Sequence, residues 1–186
     1  MDRRTALKKA SLILGYSLSA PAIVGIMQGC KPEVIAGFEP SFFLKNDLGL
    51  VNAFMDTIIP RTDSPSASEV GVLSFMDAML DQCTPEDGQE AAKVGIARIK
   101  ELAGGTAFES LSQEDRNGLL STIEKEAADD RESPISKFWF NAKGLIINGY
   151  LLSEKIGTEY LAYDPIPGLY NGCVDMSVSN GRAWAL

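Results

Sequence analysis

Residues 133–152 read SPISKFWFNAKGLIINGYLL. Ser133 followed by Pro134 is a helix start. The hydroxyl can accept an orphan amide, and proline suits the first turn because its missing N–H costs nothing there. Behind it come Phe138, Trp139, Phe140, Leu145, Ile146, Ile147, Tyr150, Leu151 and Leu152. These side chains surround more than one face of a helix, so this helix is expected at the centre of the fold. Gly144 and Gly149 lower its propensity and are expected to admit close packing rather than to break it.

Upstream, Pro and Gly mark off four amphipathic segments. Asn46 or Asp47 can cap a helix in which Leu48, Val51, Phe54, Met55 and Ile58 keep a three-or-four spacing. Pro60 stops it near Ile59, because proline has no N–H and restricts the residue before it. After the loop Pro60-Arg61-Thr62-Asp63-Ser64-Pro65, one helical face carries Val72, Phe75, Met76, Met79, Leu80 and Cys83. Thr84-Pro85-Glu86-Asp87 opens a third helix, with a capping hydroxyl, an early proline and two acids at the positive end of the dipole. That helix carries Val94, Ile96, Ile99 and Leu102 and ends at Gly104-Gly105. Ser112-Gln113-Glu114-Asp115 resembles a capping box with Asp in place of Glu, ahead of Leu119, Leu120, Ile123 and Ala127. Past Gly157, Tyr160-Leu161-Ala162-Tyr163-Asp164-Pro165-Ile166-Pro167-Gly168-Leu169-Tyr170 is a proline-ruled extended segment and turn. No alternating strands recur. The expectation is an all-α fold: a compact bundle of about five helices within residues 46–186, with a long Pro- and aromatic-rich C-terminal extended segment.

The chain begins MDRRTALKKASLILGYSLSAPAIVGIMQGC. Asp2-Arg3-Arg4-Thr5-Ala6-Leu7-Lys8 resembles the twin-arginine export consensus, matching at Arg3, Arg4, Leu7 and Lys8 and departing at Asp2. The apolar stretch, residues 10–26, is interrupted by Gly15, Ser17, Ser19, Pro21 and Gly25, and is short of the roughly 20 apolar residues a membrane span needs. Ile26-Met27-Gln28-Gly29-Cys30 resembles a lipoprotein cleavage box, which would make Cys30 the lipid attachment point. Ala20-Pro21-Ala22 is a competing site whose cleavage would release a soluble protein, and an uncleaved anchor helix is a third reading. The preferred expectation is a twin-arginine signal with a lipobox over residues 1–30, then a tether over residues 31–45. The mature chain would sit in the periplasm or cell envelope, held to the membrane by its lipid.

The 186 residues are 45% apolar and 23% charged, ordinary values for one globular domain. Without residues 1–30 the chain keeps 156, and the net charge moves from −8 to −11 because the leader holds four bases and one acid. Such an acidic body with no basic stripe is repelled by phosphate backbones, which excludes a nucleic-acid partner. No histidine occurs, so Ser-His-Asp and Cys-His catalysis and most zinc sites are excluded. No GxSxG elbow, P-loop or GxGxxG turn is present. The acids at Glu124, Glu126, Asp129 and Asp130 read as a solvated face, and residues 81–88 do not match a calcium loop. No catalytic, cofactor or metal residue is therefore assigned to this chain. The cysteines Cys30, Cys83 and Cys173 form no CxxC pair. In an oxidising compartment Cys83 and Cys173 either close a long loop as a disulfide or pack as two buried thiols.

Several stretches together resemble the gluconate 2-dehydrogenase subunit 3 family. They are the twin-arginine leader ending at a cysteine, Ile58-Ile59-Pro60-Arg61-Thr62-Asp63-Ser64-Pro65, Gly71-Val72 spaced to Phe75-Met76-Asp77, Phe108-Glu109-Ser110-Leu111-Ser112, Gly149-Tyr150-Leu151-Leu152-Ser153-Glu154 and Pro167-Gly168-Leu169-Tyr170. The resemblance implies a non-catalytic small subunit paired with a large flavoprotein of the glucose-methanol-choline type. That partner would hold FAD, oxidise a sugar, sugar acid or glycoside, and cross the membrane bound to the small subunit. A cytochrome c often takes the electrons. The expected partner interface comprises Arg61 and Asp63 in the loop, and Tyr160, Tyr163, Pro167, Tyr170 and Trp184 in the tail. A proline-fixed segment loses less entropy on docking, and Tyr and Trp are enriched at binding hot spots. Tyr150 is expected in the core. Two other classes stay open: a standalone lipid-anchored helical binding protein of the cell envelope, and a small periplasmic enzyme using carboxylates.

Overall fold

The computed structural model describes residues 38–164, 166, 168 and 173–185. The chain divides into two units, Met1–Val34 and Ile35–Leu186, and every described residue belongs to the second. Each amphipathic segment is a helix: α1 (Leu48–Ile58), α2 (Val72–Gln82), α3 (Glu86–Leu102), α4 (Gln113–Asp129) and α5 (Pro134–Leu151). No strand occurs among the described residues, so the fold is the expected all-helical bundle. After α5 come a π-helical turn, Ile156–Tyr160, and a short 3-10 turn, Met176–Ser179.

Local chemistry explains most starts and stops. The Ser133 hydroxyl accepts from the Ser136 N–H at 3.1 Å, and Pro134 is the first residue of α5. Ser112 accepts from the Asp115 N–H at 3.1 Å while its hydroxyl donates to the Asp115 carboxylate at 2.6 Å. Two expected caps work differently. Thr84 turns backward, its hydroxyl donating to the Met79 carbonyl at 2.9 Å, so it closes α2 rather than opening α3. Asp47 makes no capping hydrogen bond to α1. Its carboxylate pairs with Lys100 at 2.6 Å. α3 ends through Gly104 and Gly105 at φ +62° and +88°, left-handed values that glycine adopts without strain.

α5 packs against α2, α3 and α4 and so holds the central position. Phe138 and Trp139 are buried, and Phe54 of α1 stacks on Phe138 with ring centroids 5.7 Å apart. The tightest approaches occur where a side chain is missing. A Cβ on Gly95 of α3 would lie 2.0 Å from the Phe138 ring, and one on Gly149 would lie 2.6 Å from the Phe75 ring. Gly144 is not a packing glycine, contrary to expectation, since a Cβ there would meet nothing within 4 Å. It lies beside Phe140 on an open face of α5, where Phe140 and Ile147 are exposed.

Residues 38–44, expected as the end of a tether, are packed onto this core. Phe43 is buried, and Phe38 and Phe42 lie against the core cluster. Asp77 of α2 explains how the backbone is held there. This carboxylate is 3% exposed. It accepts from the amides of Ser41 at 2.7 Å, Phe42 at 3.0 Å and Phe43 at 2.9 Å. A buried charge is tolerated when several donors face it.

Candidate functional site

The loop between α1 and α2 is bent back on itself and braced from three sides. Ala67 N–H donates to the Ile59 carbonyl at 3.2 Å, which closes its base. Asp56 of α1 accepts from the Ser68 amide at 2.9 Å and from the Ser68 hydroxyl at 2.7 Å. Glu69 accepts from the Ser66 amide at 2.8 Å and pairs with Arg61. The third brace comes from far along the chain. Tyr150, in the last turn of α5, donates its hydroxyl to the Pro65 carbonyl at 2.9 Å and stands 2.9 Å from the Ser64 hydroxyl. Tyr150 and Pro65 are 85 residues apart in sequence, so the end of α5 and the loop that carries Pro60-Arg61-Thr62-Asp63 form one structural unit. Gly149 supports it by letting Phe75 reach the α5 backbone.

Arg61 and Asp63 stand exposed on the tip of this loop. Arg61 is held by Glu69, whereas the Asp63 carboxylate has no hydrogen bond or ion pair among the described residues. Tyr150 is buried, as expected, and its hydroxyl acts on the loop.

The tail leaves from the same end of α5. Ser153 donates its hydroxyl back to the Tyr150 carbonyl at 2.7 Å, and Ile156 is buried. The chain then returns on itself: Ala162 pairs in parallel with Trp184, with Ala162 N–H donating to the Ala183 carbonyl at 2.8 Å and Ala185 N–H donating to the Ala162 carbonyl at 2.9 Å. Arg182 reaches the Glu159 carbonyl at 2.9 Å and fastens the same closure. Asp175 caps the 3-10 turn by accepting from the Ser177 amide at 2.9 Å. Hydrogen bonds from Ser177 hold its carboxyl below the usual range.

This arm carries most of the exposed large hydrophobic side chains among the described residues. Eleven large hydrophobic side chains are exposed among the described residues, and seven of them fall at Tyr160 or beyond. Tyr163 is 62% exposed and Trp184 49%, while Tyr160 is borderline. Pro167 and Tyr170 lie outside the described residues, as do Arg3, Arg4 and Cys30. The sequence reading missed Ile166, Val174, Met176 and Val178, which are exposed on the same arm. The available signals were Asp175 ahead of Ser177, which is an Asx cap, and Asn180-Gly181, whose φ values of 53° and 74° close the turn.

The reading of the two cysteines as buried thiols does not hold. Cys83 and Cys173 are both exposed and are not bonded to each other. Cys83 follows the last residue of α2 and turns outward beside Thr84 and Pro85, rather than continuing the buried face of that helix. The apolar cavity between Phe43, Phe54, Ile99 and Phe138 holds about 20 Å³, the space of about one water. Among the described residues no cluster of acids and cysteines could hold a metal ion.

The fold is a helical bundle with a braced loop and an arm that carries exposed apolar side chains. Its family follows from the match of residues 45–168 to Gluconate 2-dehydrogenase subunit 3. That span is more than half of the chain, and the chain belongs to this family, an accessory subunit of a dehydrogenase complex. The match takes in the loop, Tyr150 and the first part of the tail. No curated protein and no solved structure matches the chain.

Proposed function

We propose that this chain is the non-catalytic escort of an FAD-dependent dehydrogenase subunit of the glucose-methanol-choline type. The partner holds the flavin and oxidises a sugar, sugar acid or glycoside, and a cytochrome c subunit takes the electrons. The chain gives its partner the twin-arginine signal at Arg3 and Arg4, covers part of its surface, and anchors it at the envelope through a lipid on Cys30. The observation that carries this reading is the concentration of exposed apolar side chains on the C-terminal arm of a family member. Exposed large apolar side chains gathered in one segment of a chain mark an interaction site when they form a continuous surface. Tyr163, Ile166, Met176, Val178 and Trp184 supply aromatic and aliphatic anchors of the kind that dominate binding energy.

Shared export gives the test. Changing Arg3 and Arg4 together to lysine is expected to leave the flavoprotein in the cytoplasm beside this chain, read as dehydrogenase activity in fractionated cells. Normal export of the flavoprotein in that strain would refute the escort role.

A further inference from the structure

The loop between α1 and α2 is more firmly built than a helix connection needs. Three separate side chains, Asp56, Glu69 and Tyr150, are committed to fixing its backbone. Pro65, Ser66 and Ala67 are buried beneath it. All this order holds up an exposed tip, at which Arg61 is neutralised by Glu69. Among the described residues, the charged group at this tip with no hydrogen bond or ion pair is the Asp63 carboxylate. An aspartate in a turn commonly accepts backbone amides two residues on. Here the loop's own bracing acceptors are Asp56 and Glu69, and Asp63 points its charge outward unused.

We infer that this loop is a preorganised docking element: Asp63 meets a cationic side chain, a guanidinium or an ammonium, on the partner subunit, and Tyr150 is the positioning residue that sets the loop for it. The inference rests on the subunit reading above. Two observations select a cationic group. The tip presents one free negative charge after Arg61 is cancelled, and the chain as a whole carries −8. Electrostatic complementarity then favours a positive patch on whatever covers it. The location agrees, because the loop is fastened to the last turn of α5, where the apolar arm begins. Arm and loop thus supply the two parts of an ordinary interface, an apolar centre and a charged rim. A loop fixed before binding loses little entropy when it docks.

The test uses the full chain with its co-expressed flavoprotein subunit, following association rate and affinity at low and high salt. Asp63 is exposed, so Asp63→Lys leaves the bundle folded, which circular dichroism checks. Asp63→Lys is expected to weaken assembly about tenfold or more at low salt, mostly through slower association, with the gap to wild type closing as salt rises. Tyr150→Phe keeps the ring in the core and removes the brace. It is expected to weaken assembly severalfold in the wild-type background and far less in an Asp63→Asn background. Coupling of that kind distinguishes positioning from a merely structural tyrosine. Assembly of Asp63→Lys at the wild-type rate, with unchanged salt dependence, overturns the docking inference and leaves the subunit reading intact. If the wild-type chain and the flavoprotein do not assemble at all, the subunit reading fails and the docking inference falls with it.

Discussion

Asp77 shows how much one side chain can settle. On α2 it shares a face with Leu73, Met76 and Leu80 and is buried among them. Its two oxygens take three consecutive amides of residues 41–43, so it fixes the point at which the N-terminal segment joins the bundle. Asp77→Ala would strand those amides, one of them on buried Phe43. We expect a loss of about 2–3 kcal/mol in denaturant unfolding, against under about 0.5 kcal/mol for Asp81→Ala at an exposed site on the same helix. Equal effects at the two positions would refute the clamp. The sequence does not announce this role, because an acid after Phe75-Met76 looks like the polar face of an amphipathic helix. Caps were easier to read, since a capping hydroxyl needs only its own next three residues. Ser112 and Ser133 behave accordingly. Thr84 misleads because two helices compete for it, and the carbonyls closing α2 take its hydroxyl.

Between elements, three ion pairs among the described residues tie helices together, one of them joining Lys143 of α5 to Glu124 of α4 at 3.0 Å. Arg98 of α3 holds Glu126 of α4 in a two-pronged contact, Nε at 3.1 Å and Nη2 at 2.6 Å. Lys137 of α5 meets Asp87 at the start of α3 at 3.0 Å. Hydrogen bonds from Arg98 lower the Glu126 carboxyl below its ordinary value, and those from Lys137 do the same to Asp87. The sign follows from linkage. A carboxylate lowered in the folded state adds stability that is complete above its unfolded pKa and is lost as pH falls through the folded one. The contribution of the Arg98–Glu126 pair should therefore be complete above about pH 4.5, the ordinary value for this carboxyl, and be lost as pH falls below it. Glu126→Gln should lower stability at pH 7 and make the fall on acidification shallower, as read from denaturant melts at stepped pH. An unchanged acid limb would show that the pair contributes nothing. The five helices themselves were legible, because a 3.6-residue period and Pro or Gly breaks are local signals. Which glycines admit a neighbour was not. Gly95 lies under Phe138 while Gly144 faces open space, and only the tertiary arrangement separates them.

At the scale of the molecule, the bundle is a platform with a braced loop and an apolar arm at one end. Arg61, Asp63, Tyr160, Tyr163 and Trp184, singled out by type and context, are all exposed. The bond between Tyr150 and Pro65 was not legible, because a single sequence carries no trace of which distant residues touch. Nor were Met176 and Val178 readable as exposed, since apolar residues in an irregular segment look like core. The proposed function requires that this surface bind a flavin-bearing subunit. The most direct measurement is size-exclusion chromatography of the tagged full chain, co-expressed with the flavoprotein, monitored at the flavin absorbance. The account predicts one yellow peak holding both chains, and loss of the flavin from that peak when Tyr163, Ile166 and Trp184 are changed together to serine. A colourless chain eluting alone, with the flavoprotein stable and exported in its absence, would contradict it.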